Sequence, residues 1–326
     1  MRSRRGAINL ILTVCLVAVP IVVFWQRQSI YDWYKLRGYS PAAAIVNLAS
    51  ADTMTDKSRR IFYVNHPQLV GDSSSFRQDC SVTEQTIVLG CYHPSQQGIF
   101  VYDVQDPRLS GIEEVTSAHE MLHAVYDRLS TSDKNNVNKM LNDYYQTGLH
   151  DQRILDTMDA YKKTEPKDVV NEMHSIFGTE IAQLPPALEN YYKQYFQKRA
   201  AVVAESQKYE GEFTSRSTKA AQYEAQLNTL KQKIQTEETD LKTQLAKIEA
   251  DQARLDSLRS SNQIEAYNSG VGSYNAEIDT YNVGVAQYKR DVNRYNALVE
   301  QYNAVAGELK QLYGAIDTRL SPKSAQ

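Results

Sequence analysis

Between Phe213 and Pro322 the chain has no proline, and apolar residues return every seven positions. Leu227, Ile234, Leu241, Ile248 and Leu255 form one series. After Arg259-Ser260-Ser261-Asn262 a second begins. Ile264, Val271, Ile278, Val285, Val292 and Val299 make one track; Tyr267, Tyr274, Tyr281, Tyr288, Tyr295 and Tyr302, followed by Leu309, make the other. Alternating steps of three and four keep both tracks on one stripe, the a/d pattern of a coiled coil. Two such runs with a polar break between them predict an antiparallel helical hairpin over 199–316, each arm on the order of 70 Å long at about 1.5 Å per residue. The tyrosine stripe reads as core, with hydroxyls reaching the wet rim of a thin interface; a ligand-binding or glycan-stacking face is the alternative. Glu237, Gln244 and Asp251 interrupt the first arm, so that it pairs loosely or needs a partner protein. Gly270, Gly272, Gly284 and Gly307 each weaken a helix by about 1 kcal/mol. They are expected to make room for tyrosine rings of the opposing arm.

Chemistry enters at His119-Glu120-Met121-Leu122-His123. On a helix, residues i and i+4 share a face, so both imidazoles can reach one metal ion. Two neutral nitrogen ligands suit zinc, and Glu120 can lie beside a water on that ion as general base. Thr116 and Ser117 are candidate N-caps. The plain alternative is an amphipathic helix with two surface histidines. A catalytic zinc usually has three protein ligands and an open position. Glu172, in a second helix expected from Val169 to near Gly178, is the choice for the third, with Glu180 and His174 in reserve. Asp127, four residues after His123, either orients an imidazole N–H or faces solvent.

His119, Glu120 and His123 resemble the active-site helix of the zincin metallopeptidases, and a downstream glutamate ligand is the gluzincin-like arrangement. Asn171-Glu172-Met173-His174-Ser175 is similar in part to the thermolysin type, with Ile176 where an aspartate would follow. The resemblance covers about residues 45 to 198. It implies a zincin-like domain in which a zinc-activated water attacks a peptide carbonyl. Tyr161 or His174 is a candidate to stabilise the oxyanion.

Met1-Arg2-Ser3-Arg4-Arg5 precedes an uncharged apolar run from Ala7 to Trp25, long enough to cross a bilayer. It is expected to be an uncleaved signal anchor. Cys80 and Cys91 are expected to pair as a disulfide, which places the following domain outside the cytoplasm; free thiols, or a metal held with His93, are the alternatives. Strands are expected at Ile61–Val64, near Thr86–Leu89 and at Gly98–Val104, and helices at Pro41–Leu48, Ser132–Tyr145 and Ala187–Lys198. The net charge of −3 gives no argument for nucleic acid.

The expected fold is thus α+β. A basic tail (1–6) and a transmembrane anchor (7–25) lead through a juxtamembrane segment (26–44) to a small zincin-like domain (45–198). The coiled-coil hairpin (199–316) and a tail (317–326) follow. The expected function is a single-pass, membrane-anchored, extracytoplasmic zinc peptidase acting on protein or peptide, with a coiled-coil partner or self-association through the hairpin. The alternatives are a non-catalytic envelope scaffold acting through its coiled coil, and a zinc hydrolase of a non-protein amide such as cell-wall material.

Overall fold

The computed structural model describes Leu16 and residues 23–80, 88–94 and 98–319. The chain divides into two compact units, residues 1–211 with 314–326, and residues 212–313.

In the first unit, helix α1 covers residues 23–36. It is followed by α2 (Ala43–Ala51), α3 (Asp56–Val64), β1 (Gln68–Val70) and α4 (Ser73–Asp79). Strands β2 (Gly90–His93) and β3 (Gly98–Tyr102) complete one sheet. Helices α5 (Ile112–Asp127), α6 (Thr131–Thr147), α7 (Gln152–Thr164), α8 (Val169–Glu180) and α9 (Pro186–Tyr192) come next, and α10 starts at Arg199.

The expected α+β class is corrected: the chain is mostly helical, with a small three-stranded sheet and two long helices. Ile61–Val64 is the last turn of α3, not a strand. Thr55 caps that helix by accepting the Ser58 N–H, and Ser58, Ile61 and Phe62 bury one helical face. Packing on that face outweighs the strand preference of its aromatic and β-branched residues. The strand expected near Thr86–Leu89 falls largely outside the described residues, and β2 begins just after it.

The expected N-terminal transmembrane helix is corrected as well. Among the described residues no helix is long and apolar enough to cross a membrane. Of the run Ala7–Trp25 only Leu16 and residues 23–25 are described; the rest lies outside the described residues. Beyond Trp25, α1 carries Arg27, Asp32 and Lys35, too many charges for a hydrocarbon span. Asp32 is buried, where it accepts from Gln28 and from Arg128 (3.0 Å), with Arg60 at 3.8 Å. The single-pass membrane location inferred from that span is withdrawn with it.

In the sheet, β3 is central. It pairs in parallel with β1 (Leu69 opposite Val101) and antiparallel with β2 (Cys91 opposite Phe100), which leaves β2 at an edge among the described residues. Side chains alternate along a strand. Ile99 and Val101 therefore enter the main core, while Phe100 joins Phe76 and Cys80 in a second cluster.

Helix α5 runs through the main core. Gly111 opens it at φ 103°, a conformation that favours glycine. The helix thus starts before the expected caps, and Thr116 and Ser117 lie inside it. The Thr116 hydroxyl donates to the Ile112 carbonyl (2.7 Å) and that of Ser117 to Asp52 Oδ2 (2.7 Å). Asp52 is wholly buried, and burial pushes its carboxyl well above the usual range despite the Ser117 bond. A raised folded-state pKa means that the native state holds a proton the unfolded chain gives up. Asp52's contribution is therefore full below about pH 4 and is lost as pH rises through the folded pKa. Asp52→Asn is expected to gain melting temperature on wild type as pH rises from about 4 to about 8. A gap between the two that does not change over this range would rule the account out.

Helix α8 crosses α5 and continues through Gly178 rather than ending there. A Cβ at Gly178 would stand 2.5 Å from Leu122 Cδ1 and 2.8 Å from Tyr192 Cε1, both side chains fully buried. Bare backbone at this point lets the two helices approach. The end of α8 is held by buried Arg199, which donates to the Ile181 carbonyl (2.6 Å) and pairs with Glu189. This satisfies carbonyls that a helix end leaves open. Gly178→Val is expected to cost about 3 kcal/mol by overpacking, read as a fall in denaturant midpoint. A variant as stable as wild type would show that the crossing has slack.

The second unit is built from α10, which ends at Ser260, and α11 (Ile264–Ile316), joined through Asn262 at φ 57°. Ion pairs Arg216–Glu308 (2.6 Å), Lys233–Asp291 (2.7 Å) and Lys247–Glu277 (2.8 Å) share a single antiparallel register. Within the second unit the most buried α11 positions are Asp291, Leu298, Val305 and Leu312, three residues on from the tyrosine track; the tyrosines are half-buried. The glycine expectation is corrected. Gly270 and Gly284 face Leu255 and Leu241, to which a Cβ would come within 2.8 and 3.0 Å, and nothing lies within 4 Å of a Cβ at Gly272 or Gly307. Aliphatic side chains of the first arm, not tyrosine rings, fill the space.

Candidate metal centre

Three side chains from two helices converge where α5 meets α8. His119 and His123 lie one turn apart on α5, and their Nε2 atoms are 3.0 Å apart. From the first turn of α8, Glu172 places Oε2 3.4 Å from His119 Nε2 and Oε1 3.3 Å from His123 Nε2. Ligands at about 2.0–2.2 Å from a tetrahedral ion stand about 3.3–3.6 Å from one another. Both histidine–Glu172 separations fall in this range and the His119–His123 separation is about 0.3 Å shorter, so the triangle is close in size to one ion's ligand set, and two imidazoles and one carboxylate suit zinc. Burial works to raise the Glu172 carboxyl, but His123, His119 and a hydrogen bond from Tyr161 outweigh it and hold the group low, at about 2. Glu172 is therefore held in its anionic form.

Glu120 is buried in the same cleft of about 600 Å³, which is also lined by Gly90, Tyr92, Asp127, Tyr161 and Glu180. Its carboxylate packs against bare backbone of β2. A Cβ at Gly90 would stand 2.7 Å from Glu120 Oε1, 2.8 Å from its Cγ and 2.6 Å from Thr116 Cγ2.

The remaining candidates stand outside the triangle. Glu180 accepts from Arg153 at 2.7 Å. Asp127 accepts from Tyr92 at 3.2 Å rather than orienting an imidazole. His174 points away from the ligand triangle into the core, where Tyr126, Tyr191 and Tyr192 surround it and its Nε2 lies 2.8 Å from the Tyr191 hydroxyl. Burial, with His123 and His119 nearby, pulls its pKa down to about 3 and keeps the ring neutral. Tyr161 lines the same cleft and is among the groups that hold the Glu172 carboxyl low. Cys80 and Cys91 are joined by a disulfide with Cα atoms 5.8 Å apart. Gly90 is the residue that the sequence reading missed. Its signal was slight: a glycine between the apolar Val88-Leu89 and Cys91-Tyr92, where close approach of another element is one of glycine's few uses in a strand.

Comparison with protein-family models, with curated proteins and with solved structures found no match.

Proposed function

We propose that the protein is a zinc-dependent hydrolase of peptide bonds, related in its site to the zincin metallopeptidases. The observation that carries the reading is the ligand triangle of His119, His123 and Glu172, with the buried carboxylate of Glu120 in the same cleft. Zinc held by those three residues would supply Lewis-acid polarisation. Glu120 would take the proton of the attacking water and return it to the leaving amine. Tyr161, on the same cleft, would stabilise the oxyanion or help hold Glu172 as an anion. The β2 edge runs along the cleft and offers main-chain groups against which an extended peptide can lie.

The test is zinc content and hydrolysis of a mixed peptide library by the purified chain, with chelation and zinc return. About one zinc per chain and zinc-dependent cleavage are expected. A folded chain that binds no zinc would leave the scaffold reading in its place. Zinc binding without peptide cleavage would favour a non-peptide amide.

Gly90→Ala is expected to leave zinc content unchanged and to lower hydrolysis by about 100-fold, because a displaced base is misaligned with its proton. Unaltered turnover would mean that Glu120 does not depend on the β2 backbone.

A further inference from the structure

The cleft wall holds a second set of ligand atoms. Strand alternation puts Cys91 and His93 on one face of β2, with Cys91 Sγ 3.3 Å from His93 Nε2. Cys80, at the end of α4, faces the same point: its Sγ, that of Cys91 and a His93 ring nitrogen all lie within 4.8 Å of one another. His93 Nε2 also lies 2.7 Å from the Asp79 carbonyl, which fixes the ring beside the sulfurs. All three residues line the cleft that holds Glu120, and Cys91 follows Gly90, the residue against which Glu120 packs.

We propose that Cys80, Cys91 and His93 form a redox-gated site for a thiophilic divalent cation, closed while the disulfide stands and opened by its reduction. With a phosphine as reductant, the disulfide, one phosphine and one water give two thiols and one phosphine oxide. The cation then displaces the two thiol protons and binds two thiolates and the neutral imidazole of His93. To bind through Nε2, the ring gives up its contact with the Asp79 carbonyl and carries its proton on Nδ1. Two sulfurs and one nitrogen form a soft donor set that selects zinc, cadmium or cobalt over magnesium or calcium. The ligands come from the end of α4 and from β2, so occupancy would clamp the β2 wall against α4. The proposal does not depend on catalysis at His119, His123 and Glu172, whose ligands contain no sulfur.

The test titrates the full, metal-free chain, with Cys15→Ser throughout so that Cys80 and Cys91 are its only cysteines, with cobalt(II) before and after phosphine reduction, and follows thiolate-to-cobalt charge-transfer absorption. The oxidised chain is expected to show no thiolate band at any cobalt level. The reduced chain is expected to take up one further cobalt with that band. His93→Ala keeps the disulfide, and its unchanged melting temperature before reduction serves as the folding control. After reduction it is expected to bind the further cobalt at least about tenfold more weakly, and Cys91→Ser should lose the band. A reduced wild type without the band, a reduced wild type that unfolds and is not restored by cobalt, or a reduced His93→Ala as tight as wild type would each overturn the proposal. A failure of the first site shows separately, as absence of the sulfur-free cobalt in the oxidised chain.

Discussion

Glu120→Gln is expected to keep about one zinc per chain and to lose about 10²–10⁴-fold in peptide hydrolysis, the usual worth of a positioned general base. The amide has nearly the shape of the carboxylate, so packing against Gly90 survives, and Glu120 is not one of the three proposed ligands. What the amide lacks is basicity. The loss should fall on kcat, because a proton acceptor acts in the transition state and adds little to substrate binding. The measurement is a kcat and KM pair beside zinc content for wild type and variant. Equal kcat in the two would remove Glu120 from the chemistry even if the metal is present. A loss of zinc together with activity would mean that the residue supports the ligands instead.

What could be read in advance depended on how local the signal was. The long helices were legible because a seven-residue repeat sustained over many turns fits little besides helices paired along one stripe; the ion-pair register between them then follows from simple antiparallel pairing. The histidine pair was legible because helical spacing alone brings residues i and i+4 together. Glu172 needed a further guess, that a second helix crosses the first, and the bare backbone at Gly178 is what makes the crossing close. Ile61–Val64 misled because four apolar residues fit a strand or a buried helical turn equally well, and the Thr55 cap that decides between them lies six residues upstream. Asp52 and Gly90 were not legible. Their importance comes from contacts with α5 made across the fold, with Ser117 and Glu120, and no periodicity marks such a contact. Helix α7, which supplies Tyr161 to the site, was also missed, because it lies on a polar run with few apolar anchors.

Glu172→Ala should cost at least about 100-fold in zinc affinity, since even residues that only support ligands cost about 10–100-fold. The carboxylate is the sole anion among the three proposed ligands. Losing it removes one bond and leaves two imidazoles on one helix, with no tie to α8. Zinc bound only to the native state stabilises by about 2.7 kcal/mol at a hundred times its dissociation constant. The wild-type melting temperature should therefore rise on zinc addition, and that of Glu172→Ala should not. His174→Phe is the matched control. It removes the other titratable side chain of the same turn, which is buried among Tyr126, Tyr191 and Tyr192 and points away from the triangle. It should keep the zinc-induced shift whatever its basal stability. If Glu172→Ala keeps the shift, the third ligand is elsewhere, and Glu180 would first have to leave Arg153 to serve. Glu172→Ala combined with Glu180→Gln would then decide whether it does.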